Sequence, residues 1–171
     1  GMAELLRDGP LPPVQRDYVD AIARTADDFL QLVNELLDFA KIEAGRLELE
    51  RIEFDLWELV EDCVQHLQVA ADSKGLPLGF ELGAEVPRRI TGDPLRLRQV
   101  LLNLLSNAVK FTEKGRVRVA VRREPAEAGV LLHFEVQDTG VGIPEEAMPL
   151  LFREFSQADP STTRRFGGTG L

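Results

Sequence analysis

Between residues 14 and 44, the apolar side chains Val19, Ile22, Ala26, Phe29, Val33, Leu36 and Ala40 recur at steps of 3, 4, 3, 4, 3 and 4. A seam of this period predicts one long helix that packs nearly parallel to others in a coiled coil or bundle. Tyr18, Leu30 and Leu37 widen the stripe beyond a two-stranded seam. A helical hairpin that dimerises into a four-helix bundle accommodates that width, with packing on the chain's own globular part as the plainer alternative. Residues 1–8 read as the last turns of a preceding helix. Gly9-Pro-Leu-Pro-Pro13 breaks that helix, and Gly45 stops the long one.

Beyond Gly45 the period changes. Residues 46–54 alternate Leu47, Leu49, Ile52 and Phe54 with charges, with one slip, and predict a short strand and linker. Asp55 with Glu58 is a capping-box-like start for a helix to about Ser73, followed by a Lys-Gly turn. Residues 78–82 and 88–91 read as strands. Asp93-Pro94 supplies an N-cap and first-turn proline for a helix reaching Thr112. Val117, Val119 and Val121 alternate with arginines, and residues 130–136 form a further strand after an Ala/Glu/Gly turn. Helices before and between strands taken as antiparallel predict an α+β chain in three parts. These are a helical hairpin over 1–45, a linker strand over 46–54, and an α/β sandwich over 55–171 with its helices on one sheet face.

Hydrophobic residues at 44% and charged residues at 29% are those of a globular protein, and 171 residues suffice for one core plus a helical extension. Charge is more decisive: 20 basic against 29 acidic residues leave −9. Such a chain does not hold nucleic acid or anionic lipid through its overall field, so an anionic ligand needs a local cluster. No apolar run is long enough to span a bilayer, and the N-terminus lacks a basic then apolar leader. The single cysteine, Cys63, leaves no disulfide framework or cysteine metal cluster, which suits a reducing cytoplasm. Between Val60 and Val64 it reads as a core residue.

The helix after Asp93 carries the candidate chemistry. Arg96, Gln99, Asn103, Asn107 and Lys110 fall in one polar stripe, with Leu97, Leu101, Leu104, Leu105 and Ala108 roughly opposite. Two asparagines one turn apart are weak helix formers for a merely solvated face. An amide oxygen is a hard, neutral ligand suited to Mg²⁺, and a lysine one turn on can meet the phosphates Mg²⁺ bridges. His66 and His133 read as partly buried structural residues.

Two glycine segments follow, Asp138-Thr-Gly-Val-Gly-Ile143 and Gly167-Gly-Thr-Gly-Leu171. An Asn helix followed by two such boxes resembles the ATP-binding domain of two-component sensor histidine kinases. That superfamily is shared with gyrase, the ninety-kilodalton chaperone and the mismatch-repair ATPases. Leu36-Leu-Asp-Phe-Ala-Lys-Ile-Glu-Ala-Gly45 is similar to the end of the dimerisation and histidine-phosphotransfer hairpin of these kinases. The resemblance implies ATP and Mg²⁺ as cofactors, with Asn107 as the metal ligand and Lys110 near the phosphates. Asp138 would accept from the adenine amino group, and Gly140 and Gly142 would let backbone approach the base. Asn103 stands where ATP-hydrolysing relatives carry a water-activating Glu, a task an amide cannot perform; a surface amide bonding its neighbours is its plainer reading.

Pro144, Pro149 and Pro160 punctuate a long stretch without structure, expected to be a lid. Phe152 and Phe155 resemble the family's Phe box, or pack an amphipathic turn. Thr162, Arg164 and Arg165 are apt for triphosphate oxygens, a solvated basic turn being the alternative. Gly167, Gly168 and Gly170 would let the lid's end pass close to phosphate, with Thr169 near the base.

The function implied is the ATP-binding, phosphoryl-donating part of a kinase that phosphorylates its own histidine and passes phosphate to a response-regulator aspartate. Its partners would be a second copy, through the hairpin, and a receiver domain, with no nucleic acid and no membrane contact. The family's signature around the reactive histidine is absent, so the chain is expected to begin just after it and to stop before the closing strands, leaving the isolated piece inactive. A gyrase-type ATP-hydrolysing switch and a non-catalytic dimer scaffold remain the other two classes.

Overall fold

The computed structural model describes Leu6, Gly9 and residues 11–127 and 129–150. Within them lie two compact units, one holding a long helix and the other spanning Leu49–Pro149. Helix α1, Pro13–Glu43, starts with proline in its first turn, where a missing N–H costs no hydrogen bond. It stops in a Schellman motif: Gly45 takes φ +63°, its N–H donates to Ile42 O at 2.9 Å, and Arg46 N–H donates to Lys41 O at 2.8 Å. Along the seam Val19 is buried, whereas Ile22, Ala26, Phe29, Val33, Leu36 and Ala40 are exposed. Phe29 alone is 65% accessible. A continuous apolar stripe of this kind is the face a partner helix covers.

The second unit places two helices on one face of a sheet. Strand β1 (Ile52–Asp55) pairs antiparallel with β3 (Arg89–Gly92), and a separate three-stranded sheet runs β2 (Leu78–Leu82), β4 (Val117–Glu124), β5 (Leu131–Asp138). The strand expected across 46–54 is thus confined to its end, and Asp138 closes β5. One expectation is corrected: β2 and β4 are parallel, with Leu78 opposite Val117, and only β4 and β5 are antiparallel. The chain between β2 and β4 contains β3 and helix α3, Pro94–Phe111, a crossover long enough to return the strand in the same direction. Helix α2, Leu56–Ser73, contributes Leu56, Leu59, Val60, Cys63 and Val64 to the core. Helix α3 adds Leu101, Leu105, Ala108 and Val109, and β4 adds Val117, Val119 and Val121. Burial pushes the Cys63 thiol up, away from the reactive thiolate.

Both helices are started by aspartates. Asp55 Oδ1 accepts the Trp57 and Glu58 amides at 3.1 Å, and its Oδ2 accepts Arg88 Nε at 2.7 Å. The Arg88 hydrogen bond, backed by the Glu58 amide, holds the Asp55 carboxyl below its usual range. Asp93 is likewise lowered, first by the Arg96 amide at 3.0 Å and also by the Glu50 amide. A depressed carboxylate stabilises the fold above its unfolded-state pKa, and that support is lost as the pH falls through the folded-state value.

After β5 the segment expected as structureless forms a 3₁₀ turn over Glu145–Leu150, opened by Ala147 N–H donating to Pro144 O at 2.9 Å. His66 and His133 are exposed rather than half buried, and His133 Nδ1 lies 3.2 Å from a Glu124 oxygen. No helix among the described residues is long and apolar enough to cross a membrane.

Candidate functional site

Helix α3 presents the stripe in the expected order. Arg96 Nη1 donates to Gln99 Oε1 at 2.8 Å, and one turn on Asn107 Nδ2 donates to Asn103 Oδ1 at 3.3 Å. Both asparagines are exposed. That bond uses the Asn107 amide nitrogen and leaves its carbonyl oxygen as an acceptor. Lys110 Nζ stands 5.0 Å from the centroid of the Phe111 ring, a cation on an aromatic face. Leu104 departs from the expected apolar side: it is exposed, lying about 100° round the helix from Asn103, while Leu101, Leu105 and Ala108 are buried.

At the end of β5 the chain turns sharply on its own carboxylate. Gly140 N–H donates to Asp138 Oδ1 at 2.8 Å, so one carboxylate oxygen shapes the loop and the other remains an acceptor. Gly140 packs against the end of α3: a Cβ there would lie 2.5 Å from Phe111 O. Val141 N–H donates to that same carbonyl at 3.4 Å. Gly142 lies in the left-handed region at φ +70°, a backbone conformation that favours glycine. The glycine loop therefore sits on the last turn of α3, one turn beyond Asn107.

Three further residues that hold this arrangement were not singled out from the sequence. Thr139 Oγ1 accepts Arg116 N–H at 2.9 Å and donates to Arg116 O at 3.4 Å, tying the glycine loop to the turn that leads into β4. Gly115, φ +122°, makes way for it: a Cβ at Gly115 would overlap the Thr139 hydroxyl. Lys74, at the end of α2, donates to Val109 O at 2.7 Å and Lys110 O at 2.9 Å. A Thr-Gly-x-Gly run beside a Lys-Gly turn carries no periodic signal that would have paired them. Thr162, Arg164, Arg165, Gly168, Thr169 and Gly170, with Phe152 and Phe155, lie outside the described residues.

A cation would meet neutral oxygen here. Among the described residues no cluster of three or more His, Cys, Asp or Glu side chains could hold a metal. A neutral amide oxygen such as that of Asn107 is a donor of the kind that suits Mg²⁺, an ion commonly bound with few protein ligands.

Residues 92–171 match the model of the histidine kinase-, DNA gyrase B- and HSP90-like ATPase family, and residues 1–45 match the His Kinase A (phospho-acceptor) domain. This chain belongs to the histidine kinase family. Over 172 aligned residues it is 42% identical to the signal transduction histidine-protein kinase BarA of Escherichia coli strain K12, covering all of this chain and 19% of that protein. It is 45% identical to the sensor protein GacS of Pseudomonas syringae pv. syringae, again over all of this chain and 19% of the relative. The chain thus spans about a fifth of the length of these kinases. Among solved structures, full-length ShkA in complex with AMPPNP superposes with a TM-score of 0.73 at 35% identity, covering 95% of this chain and 34% of that one.

Proposed function

We propose that residues 55–171 bind MgATP and donate its γ-phosphoryl group to a histidine of the phospho-acceptor part of the same kinase, from which it passes to a response-regulator aspartate. The observation that carries this reading is the docking of the Asp138 loop on the carbonyl of Phe111, which joins a free carboxylate oxygen to the Asn107–Lys110 face of one helix. Asp138 reads the adenine amino group as an acceptor-only group, and Lys110 meets the phosphates. Asn107 would hold Mg²⁺, which when bound neutralises phosphate charge. In the transfer, the bond from the γ-phosphorus to the β–γ bridging oxygen breaks as an imidazole nitrogen attacks in line, and ADP leaves. Residues 1–45 contain no histidine, so the nucleophile is not among them. Asn103 in place of a carboxylate leaves no general base for water there, which favours transfer over hydrolysis.

The exposed seam of α1 supports a homodimer, and a receiver domain is the acceptor of the phosphate. Calorimetry of ATP binding to the full-length protein with and without Mg²⁺ tests the site. Asn107→Ala is expected to lose at least about tenfold in Mg²⁺-dependent affinity. Equal metal-dependent affinity in the variant would remove Asn107 from the site.

Base choice gives a second test. Asp138→Asn keeps an oxygen for the Gly140 amide and exchanges the outward acceptor for a donor. A hydrogen bond to a charged group contributes ~1.5–3 kcal/mol, so ATP affinity should drop about tenfold or more and the preference over GTP should narrow. Competition titrations against a fluorescent nucleotide read both quantities, and an unchanged ratio with unchanged ATP affinity would refute the assignment.

A further inference from the structure

The last turn of α3 carries Lys110 and follows directly on Asn107, yet its carbonyl groups are satisfied mostly from outside the helix. Ala108 O accepts the N–H of the C-cap residue Thr112 at 3.1 Å. Phe111 O accepts Val141 N–H at 3.4 Å from the glycine loop. The carbonyls of Val109, Lys110 and Thr112 converge on Lys74 Nζ at 2.7, 2.9 and 3.5 Å. Water could satisfy these oxygens at a frayed end equally well, but it would not fix their direction.

Lys74 is itself held firmly. It is the C-cap of α2, and the next residue, Gly75, takes φ +64° in a Schellman motif. Gly75 N–H donates to Asp72 O at 2.9 Å and Leu76 N–H to Ala71 O at 3.0 Å, with Leu76 and Ala71 both buried in the core. The ammonium therefore leaves a fixed point of the backbone and meets the negative end of the α3 dipole, where a cation is favoured. Three donors on one charge match three converging carbonyls.

We propose that Lys74 is a positioning residue of the nucleotide site: it clamps the last turn of α3 so that Asn107 and Lys110 face the phosphates at a set distance from the Asp138 loop. The proposal rests on the MgATP reading above and adds to it a residue that touches neither nucleotide nor metal.

The test is MgATP calorimetry on full-length protein carrying Lys74→Met, Lys74→Gln, Lys74→Arg or Val60→Ala, with thermal unfolding of each. Val60 is buried in the core, so its truncation destabilises the fold away from this helix end. Lys74→Met is expected to bind about tenfold more weakly, Lys74→Arg within about threefold of wild type, and Val60→Ala unchanged despite a lower Tm. A folded Lys74→Met protein with wild-type affinity overturns the proposal, as does an equal loss in Val60→Ala. If the Met variant does not fold, Lys74→Gln and Lys74→Arg decide: weaker binding by Gln than by Arg supports the clamp, and equal affinities overturn it. Absence of MgATP binding in wild type would overturn the nucleotide reading itself, whereas wild-type binding with an indifferent Met variant overturns the clamp alone.

Discussion

Gly140→Ala is expected to weaken MgATP binding on the order of 10²-fold, more than Gly142→Ala does. The added methyl at Gly140 would fall 2.5 Å from Phe111 O, 2.9 Å from Asp138 Oδ1 and 3.0 Å from Phe111 C. A backbone carbonyl cannot rotate away as a side chain would, so the loop must lift from the helix end. Overpacking of this kind costs about 1–3 kcal/mol, and displacing a binding group by ~1 Å can cost on the order of 10²-fold. At Gly142 the left-handed backbone, φ +70°, resists the methyl, at roughly 1–2 kcal/mol. Calorimetry on the pair separates room from conformation. Wild-type affinity in Gly140→Ala would mean that the loop does not need its seat on Phe111.

Placing glutamate at both Phe29 and Val33 is expected to convert the proposed dimer to monomers. Both side chains are exposed in the single chain and lie on the seam, where a partner's seam would bury them. An unpaired charge buried in such an interface costs about 3–5 kcal/mol, and two per helix exceed what an apolar seam contributes at these positions. Multi-angle light scattering on the full-length protein reads the mass directly. An unchanged dimer mass would place the interface elsewhere.

The elements that were legible in the sequence are those announced by local chemistry. Asp93-Pro94 fixed the start of α3 because an Asx cap and a first-turn proline act within a single turn, and the asparagine stripe followed from helical period alone. Strand direction was not legible: Leu78–Leu82 alternates no differently whether its neighbour runs parallel or antiparallel, and only the length of the crossover through α3 decides. The Asp138 loop was readable as an Asx turn with glycines, but its seat on Phe111 was not. Lys74 was missed for the same reason, since it reaches carbonyls 35 to 38 residues away and a Lys-Gly pair reads as no more than a helix ending. Leu104 reads from the helical period as roughly opposite the stripe, whereas it lies only about 100° from Asn103 and is exposed.

The double seat of α3 sets an order of events for a chain that emerges from its N-terminus first. The Lys74 ammonium is made before the helix whose carbonyls it receives, so that end of α3 meets a waiting cation as soon as it winds. The Phe111 carbonyl and the Gly115 turn must wait for Thr139 and Val141, which follow β5. Until the β4–β5 hairpin has been synthesised and folded, the nascent polypeptide has a polar helix but not the Asp138 loop proposed to read the base. Stabilisation by nucleotide, which grows as RT ln(1 + [L]/Kd) for a ligand that binds only the native form, is therefore withheld from every shorter length of the growing chain.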